Sequence, residues 1–168
     1  MKVALAADHR GRPTKEKIAA FLTEHGYQVV DMGTHSGKSC DYTDMAYAAA
    51  RAVVDGKVQR AVMICGTGIG MSICANKITG IRAALCHDEL TAQISRRHND
   101  ANVLCLASDV LGEELMRRIV ASWMTTEFEP GGRHERRVRK IGWVEQGKDP
   151  NRYDEENGLG EDPKPTRK

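Results

Sequence analysis

The chain has 168 residues, 40% hydrophobic and 29% charged, a balance that suits one folded domain with a substantial core. A formal net charge of +2 and an aromatic content of 5% offer neither a basic field nor a base-stacking platform, so nucleic-acid binding is not expected. No run approaches a membrane span, and the opening MKVALAADHRG has too short an apolar stretch for a signal peptide.

Val3–Ala7 reads as a short strand with Asp8-His9-Arg10-Gly11 at its carboxyl end. Thr14–His25 carries Ile18, Ala19, Phe21 and Leu22 at helical spacing and stops at Gly26. Gln28–Met32 gives a second strand, 33–39 a loop, and Tyr42–Asp55 an alanine-rich helix ended by Gly56. Arg60–Cys65 is a third strand, followed by the turn CGTGIG and a helix that starts over Met71–Lys77 and ends near Gly80. Ile81–Cys86 is a fourth strand, and Asp88 caps a helix to about Arg97. Asn102–Ala107 is a fifth strand, and Gly112–Met124 a helix with Leu115, Ile119 and Trp123 on one face. Pro130-Gly131-Gly132 breaks the chain before a basic helix over Arg133–Glu145. Alternating short strands and helices predict a three-layer α/β/α sandwich, Rossmann-like, on a five-stranded parallel sheet. Residues 1–146 form the expected domain, and 147–168, polar and proline-containing, a mobile or partner-draped tail.

The stretch Ala61–Asn76 carries the most chemistry. A strand, a glycine-dense turn and a helix start make a place where backbone N–H groups can meet an anion. GTGIG lacks the third glycine of a dinucleotide fingerprint and the Lys-Ser/Thr of a P-loop, so the alternatives are a sugar-phosphate site or a tight turn around an inert cysteine. Cys65 stands at the strand's carboxyl end, where open sheets place ligands, and a thiol beside a helix start ionises more readily and serves as base or nucleophile. Asp8 and His9 share that edge and are expected to meet Cys65. His87-Asp88 also follows a strand, but capping explains Asp88. His98 follows a helix, so it should lie at the opposite edge and reach Cys65 only from a second subunit. Arg133, Arg137 and Lys140 share a helix face, either a solvated stripe or a phosphate clamp. The five cysteines are odd in number and lack CxxC spacing, which fits free thiols in a reducing cytoplasm and no metal site.

Asp8-His9, Asp41-Tyr42, ICGTGIGMSI-ANK (64–77), GIRAAL (80–85), RHNDANVL (97–104) and GGRHERRV (131–138) occur in an order and spacing that resembles the B-type ribose-5-phosphate isomerase family, which includes galactose-6-phosphate isomerase subunits. The likeness spans residues 1–145. It implies a cofactor-independent, metal-free cytoplasmic isomerase, a homodimer or dimer of dimers with active sites between subunits, interconverting ribose 5-phosphate and ribulose 5-phosphate through a cis-enediolate. By resemblance Cys65 is the base, Thr67 and the N–H groups of Gly66–Gly70 (Gly66, Gly68 and Gly70 among them) hold the oxyanion, the partner's His98 opens the furanose ring, and Asp8 lies near the sugar hydroxyls. Tyr42 and Asn99 resemble substrate-binding positions, and His9, Arg133 and Arg137 the phosphate-binding set. His134 receives no role. Gly68–Ser72 holds no carboxylate, which fits the cysteine chemistry.

One departure stands out. Asp109 occupies a position where the family pattern carries an arginine that helps hold phosphate. An aspartate there repels phosphate unless paired, so Arg10 is expected to compensate, with Arg12 as the other candidate. Asp109 leaves open the same chemistry on a six-carbon or unphosphorylated sugar. A non-catalytic sugar-phosphate sensor would have no need of Cys65, Thr67 and His98 together. A nucleotide module would need an acidic residue for the ribose.

Overall fold

The computed structural model describes residues 1–159, in two compact units, Met1–Phe128 and a second that begins at Glu129. The first unit contains strands β1 (Lys2–Ala7), β2 (Gln28–Asp31), β3 (Arg60–Cys65), β4 (Ala83–Leu85) and β5 (Val103–Ala107). Helices α1 (Arg12–Glu24), α2 (Tyr42–Val54), α3 (Ile69–Ala75), α4 (Glu89–Asn99) and α5 (Glu113–Thr125) alternate with them. All pairings are parallel, in the order β2-β1-β3-β5-β4. The expected sandwich is the fold observed.

Strand residues alternate between two cores. Val3, Leu5, Val62, Ile64, Leu104 and Leu106 pack with Ile18, Leu22, Ile119 and Trp123 from α1 and α5. Ala4, Ala6, Met63, Cys65, Val103 and Cys105 pack with Ala46, Ala49 and Ala50 of α2 and Met71 and Ala75 of α3. Because both faces are covered, β1, β3 and β5 read as continuous apolar runs rather than alternating ones. Alanines on α2 let that helix sit close to the sheet.

Several boundaries differ from the periodicity reading. β4 is only three residues long, pinned at its start by Asn76, which exchanges side-chain hydrogen bonds with Ala83 N and O at 2.9 Å each. α4 continues to Asn99, so His98 and Asn99 belong to its last turn, and Asp100 (φ 46°) ends it in the left-handed region. Two buried arginines cap α5. Arg60 Nη1 donates to the carbonyls of Trp123 and Met124 at 3.1 and 3.0 Å, and Arg96 Nε to that of Thr126 at 3.3 Å. Both guanidiniums also lie within 6 Å of the Trp123 ring.

In the second unit, α6 (Gly132–Glu145) is followed by a 3-10 turn at Pro150–Arg152 and a short helix α7 (Tyr153–Glu156). Part of the stretch read as a mobile or partner-draped tail takes regular structure here. Tyr153 is 5% exposed and meets Trp143 edge-on at 5.0 Å, while Lys140 Nζ bonds Asp154 at 2.6 Å. One aromatic and a complementary charge hold a segment whose composition lacks a core. Residues 160–168 of that tail lie outside the described residues. Among the described residues no helix is long and apolar enough to cross a membrane.

Candidate active site

Sheet order decides what meets. β1 lies between β2 and β3, so the connections leaving β1 and β3 diverge and open a crevice at their carboxyl ends. Ala7 pairs with Ile64, which places Asp8 and Cys65, the next residues, side by side at that crevice. On the other side of β3, Cys65 pairs with Ala107, so the loop after β5 abuts the Cys65 turn. A cavity of about 370 Å³ results, lined by Asp8, Arg10, Tyr42, Cys65, Gly66, Thr67, Gly70 and Asp109.

Cys65 is 4% exposed, and its Sγ accepts a hydrogen bond from the Gly68 N–H at 3.2 Å. That donor exists because Gly68 takes φ +72°, where a Cβ would lie 2.5 Å from Leu85 Cδ1 and 3.0 Å from the Leu106 carbonyl. The Ile69 N–H is directed to Thr67 Oγ1 at 3.4 Å. Two N–H groups of the turn therefore have partners already, which narrows the expected oxyanion set. α3 spans only seven residues, and the turn rather than helix length supplies the polar surroundings of the thiol. On the same face of the sheet, burial pushes the Cys105 thiol far above its usual range, so it stays protonated.

Asp8 is 4% exposed. Its Oδ1 accepts from the N–H groups of Arg10 and Gly11 at 3.0 and 2.9 Å, which ties the carboxylate to the start of α1. Tyr42 opens α2 and lays its ring against Gly70. His9 stands beside the cavity, and its Nδ1 accepts from the Cys40 N–H at 3.3 Å. A fixed backbone donor there places the imidazole proton on Nε2. The Cys40 contact escapes sequence reading, since nothing local links residues 31 positions apart. Lys15 is another such residue. It is 1% exposed, and its Nζ bonds both oxygens of Asp31 at 2.7 and 2.6 Å and the Thr34 carbonyl at 3.1 Å, fixing the loop that leads to Cys40. A signal existed: Lys15 falls at i, i+3, i+7 with Ile18 and Leu22, the buried stripe of α1.

Arg10 does meet Asp109, with Nη2 and Oδ2 2.6 Å apart, whereas Arg12 pairs with Glu16 at 2.9 Å. Compensation thus takes the form of an ion pair rather than a free cation. His98 and Asn99 are not at the cavity. Arg82, just before β4, donates to the Asn99 carbonyl at 3.0 Å, at the edge where β4 and β5 begin, one strand length from Cys65. In the second unit Arg133 and Arg137 lie on α6, and Lys140, third of their stripe, is engaged by Asp154.

The family model for Ribose/Galactose Isomerase matches residues 3–141. Ribose-5-phosphate isomerase B of Escherichia coli is 47% identical over 145 residues, 86% of this chain and 97% of its own. D-erythrulose-4-phosphate isomerase of Pectobacterium atrosepticum is 43% identical over 146 residues, 86% and 95% of the two chains. The structure of ribose-5-phosphate isomerase B from Clostridium thermocellum superposes with a TM-score of 0.86 at 48% identity, covering 88% of this chain and 99% of that one.

Proposed function

The chain belongs to the ribose/galactose isomerase family and is a sugar-phosphate isomerase, and from that premise we propose that it interconverts ribose 5-phosphate and ribulose 5-phosphate through a cis-enediolate with Cys65 as base. The observation that carries the reading is Cys65 Sγ, bonded to the Gly68 N–H beside Asp8 in a cavity at the β1/β3 crevice. The Cys65 thiolate takes the proton from C2 of the open-chain aldose and returns it to C1, while the hydroxyl proton moves between O2 and O1, so no redox partner is consumed. An N–H aimed at sulfur offers the thiolate a partner, and general-base transfer of this kind contributes about 10²–10⁴-fold.

Thr67 with the N–H groups of Gly66 and Gly70 stabilises the charge that grows on the substrate oxygen, with Gly68 serving the sulfur. Asp8, Arg10 and Tyr42 bind the sugar chain. His9 is a phosphate ligand in the loop after β1, and Arg133 and Arg137 on α6 are phosphate ligands by the family resemblance. The distance of His98 and Asn99 from Cys65 within one chain supports a homodimer in which each comes from the partner, His98 to open the ring and Asn99 to bind substrate.

The test is isomerase activity of wild type and Cys65→Ala on ribose 5-phosphate. Turnover that falls at least about 10²-fold in the variant upholds the base. Turnover unchanged in Cys65→Ala refutes it. Mixing Cys65→Ala with His98→Ala chains should restore some activity through hybrid dimers, and verified hybrids without recovery would remove His98 from the site. The Arg10–Asp109 pair favours a second reading, the same chemistry on another sugar, so the panel includes erythrulose 4-phosphate, allose 6-phosphate and unphosphorylated ribose.

A further inference from the structure

Three loops converge beside Cys65, and the one after β5 is fastened tightly to the turn after β3. Ser108 donates to the Cys65 carbonyl through both N and Oγ, at 2.9 and 3.1 Å, and the Asp109 N–H donates to the Gly66 carbonyl at 3.0 Å. Asp109 is thereby fixed relative to Cys65. Its carboxylate reaches Arg10 on the loop after β1, closing a bridge across the Cys65 turn. Gly66 shows how closely the bridge lies on that turn: a Cβ there would stand 2.5 Å from Asp109 Oδ2 and 3.0 Å from Arg10 Nε.

We infer that the Arg10–Asp109 bridge is the specificity-determining wall of the cavity, binding sugar hydroxyls and turning an anionic group away from this end. The inference rests on the isomerase reading for its substrate class, and on geometry for the rest. At 2.6 Å the two charges cancel, and the nearest other charge in the lining, Asp8, is negative. A phosphate at this wall would face two carboxylates and one guanidinium already engaged. A hydroxyl fits better. One Arg–Asp hydrogen bond uses one of five guanidinium N–H donors and one of about four carboxylate lone-pair sites. The side chains remain 58% and 37% exposed and both residues line the cavity, which leaves donors and acceptors of the pair accessible there. A hydroxyl is neutral and both donates and accepts, which suits such a pair, whereas a fully ionised phosphate ester only accepts and carries its charge toward two carboxylates. Sugars with a hydroxyl-bearing carbon here and their phosphate at the other end are the substrates selected.

The experiment measures binding of inorganic phosphate and of the neutral polyol ribitol to the full chain by ligand-observed NMR at low salt. Wild type, Asp109→Asn, Arg10→Met and the double variant are compared. Asp109→Asn should bind phosphate about fivefold tighter, the scale of one charge about 4 Å away across water, and ribitol about threefold weaker. Arg10→Met should weaken both. The double variant should return phosphate to the wild-type value while ribitol stays weak. Opposite signs for the two probes in Asp109→Asn are the signature, because damage to the fold weakens both and a bare field effect leaves ribitol unmoved. Either of those results overturns the inference, as does a change under twofold for both. The kcat/KM ratios among four-, five- and six-carbon sugar phosphates should shift at least fivefold in Asp109→Asn. Opposite shifts in binding with no turnover on any sugar would uphold the wall and overturn the isomerase reading.

Discussion

Replacing Gly68 by alanine probes the turn that serves Cys65. The backbone there sits at φ +72°, which costs an L-residue about 1 kcal/mol. The added Cβ would lie 2.5 Å from Leu85 Cδ1 and 3.0 Å from the carbonyl carbon and oxygen of Leu106. Leu85 can rotate aside, but the Leu106 backbone is held in β5, and relief of such overpacking costs about 1–3 kcal/mol. Together the loss is about 2–4 kcal/mol, which lowers Tm by about 5–15 °C in a chain of this size. Gly26→Ala is the internal control: φ is +80° there, with nothing within 4 Å of the new methyl, so only the strain of about 1 kcal/mol applies. Thermal unfolding of both variants at one protein concentration separates the two contributions. The turn must shift to admit the methyl, and the Gly68 N–H then leaves Cys65 Sγ, so kcat should fall about 10- to 100-fold in Gly68→Ala and stay unchanged in Gly26→Ala. A Gly68→Ala variant with the Tm and kcat of Gly26→Ala would refute the reasoning, for the contact and for the role of the turn alike.

Arg60→Met should destabilise by about 2–4 kcal/mol, because it strips donors from the Trp123 and Met124 carbonyls in a buried place; urea unfolding with an unchanged m-value checks this. Burial raises the Cys105 and Cys86 thiols above their usual range. Unfolded thiols therefore lose protons first, so this contribution to stability is complete below about pH 9 and declines as pH rises beyond it. Tm followed from pH 8 to 10.5 should fall less steeply in Cys105→Val than in wild type, and thiol reagents at pH 8 should spare Cys86 and Cys105. Truncation after Gly147 removes Tyr153 and Asp154 from α6 and should expose Trp143, read as a red-shifted emission in the truncated chain. Identical spectra would show that α7 contributes no burial there.

Most of the elements were legible because their causes are local. Helical spacing over Ile18 and Leu22, Gly26 and Gly56 as stops, and the unbroken apolar runs of β1, β3 and β5 each act within a few residues. The glycine turn drew attention to Cys65 in the same way, since a thiol at a strand end followed by GTGIG is a local pattern. Even Asp109 drew attention as a charge out of place. Long-range pairing lay beyond reach. Nothing near Arg60 or Arg96 told that both would cap α5 more than 25 residues further along, or that Tyr153 would find Trp143 across a polar segment. Strand order settled the site. With β3 between β1 and β5, the ends of three separate strands bring Asp8, Cys65 and Asp109 together, and the register that pairs Cys65 with Ala107 sets Asp109 over Gly66. Composition and period fix how each segment folds, but which carboxylate meets which guanidinium follows from which strands are neighbours, a choice made by burying the whole sheet at once.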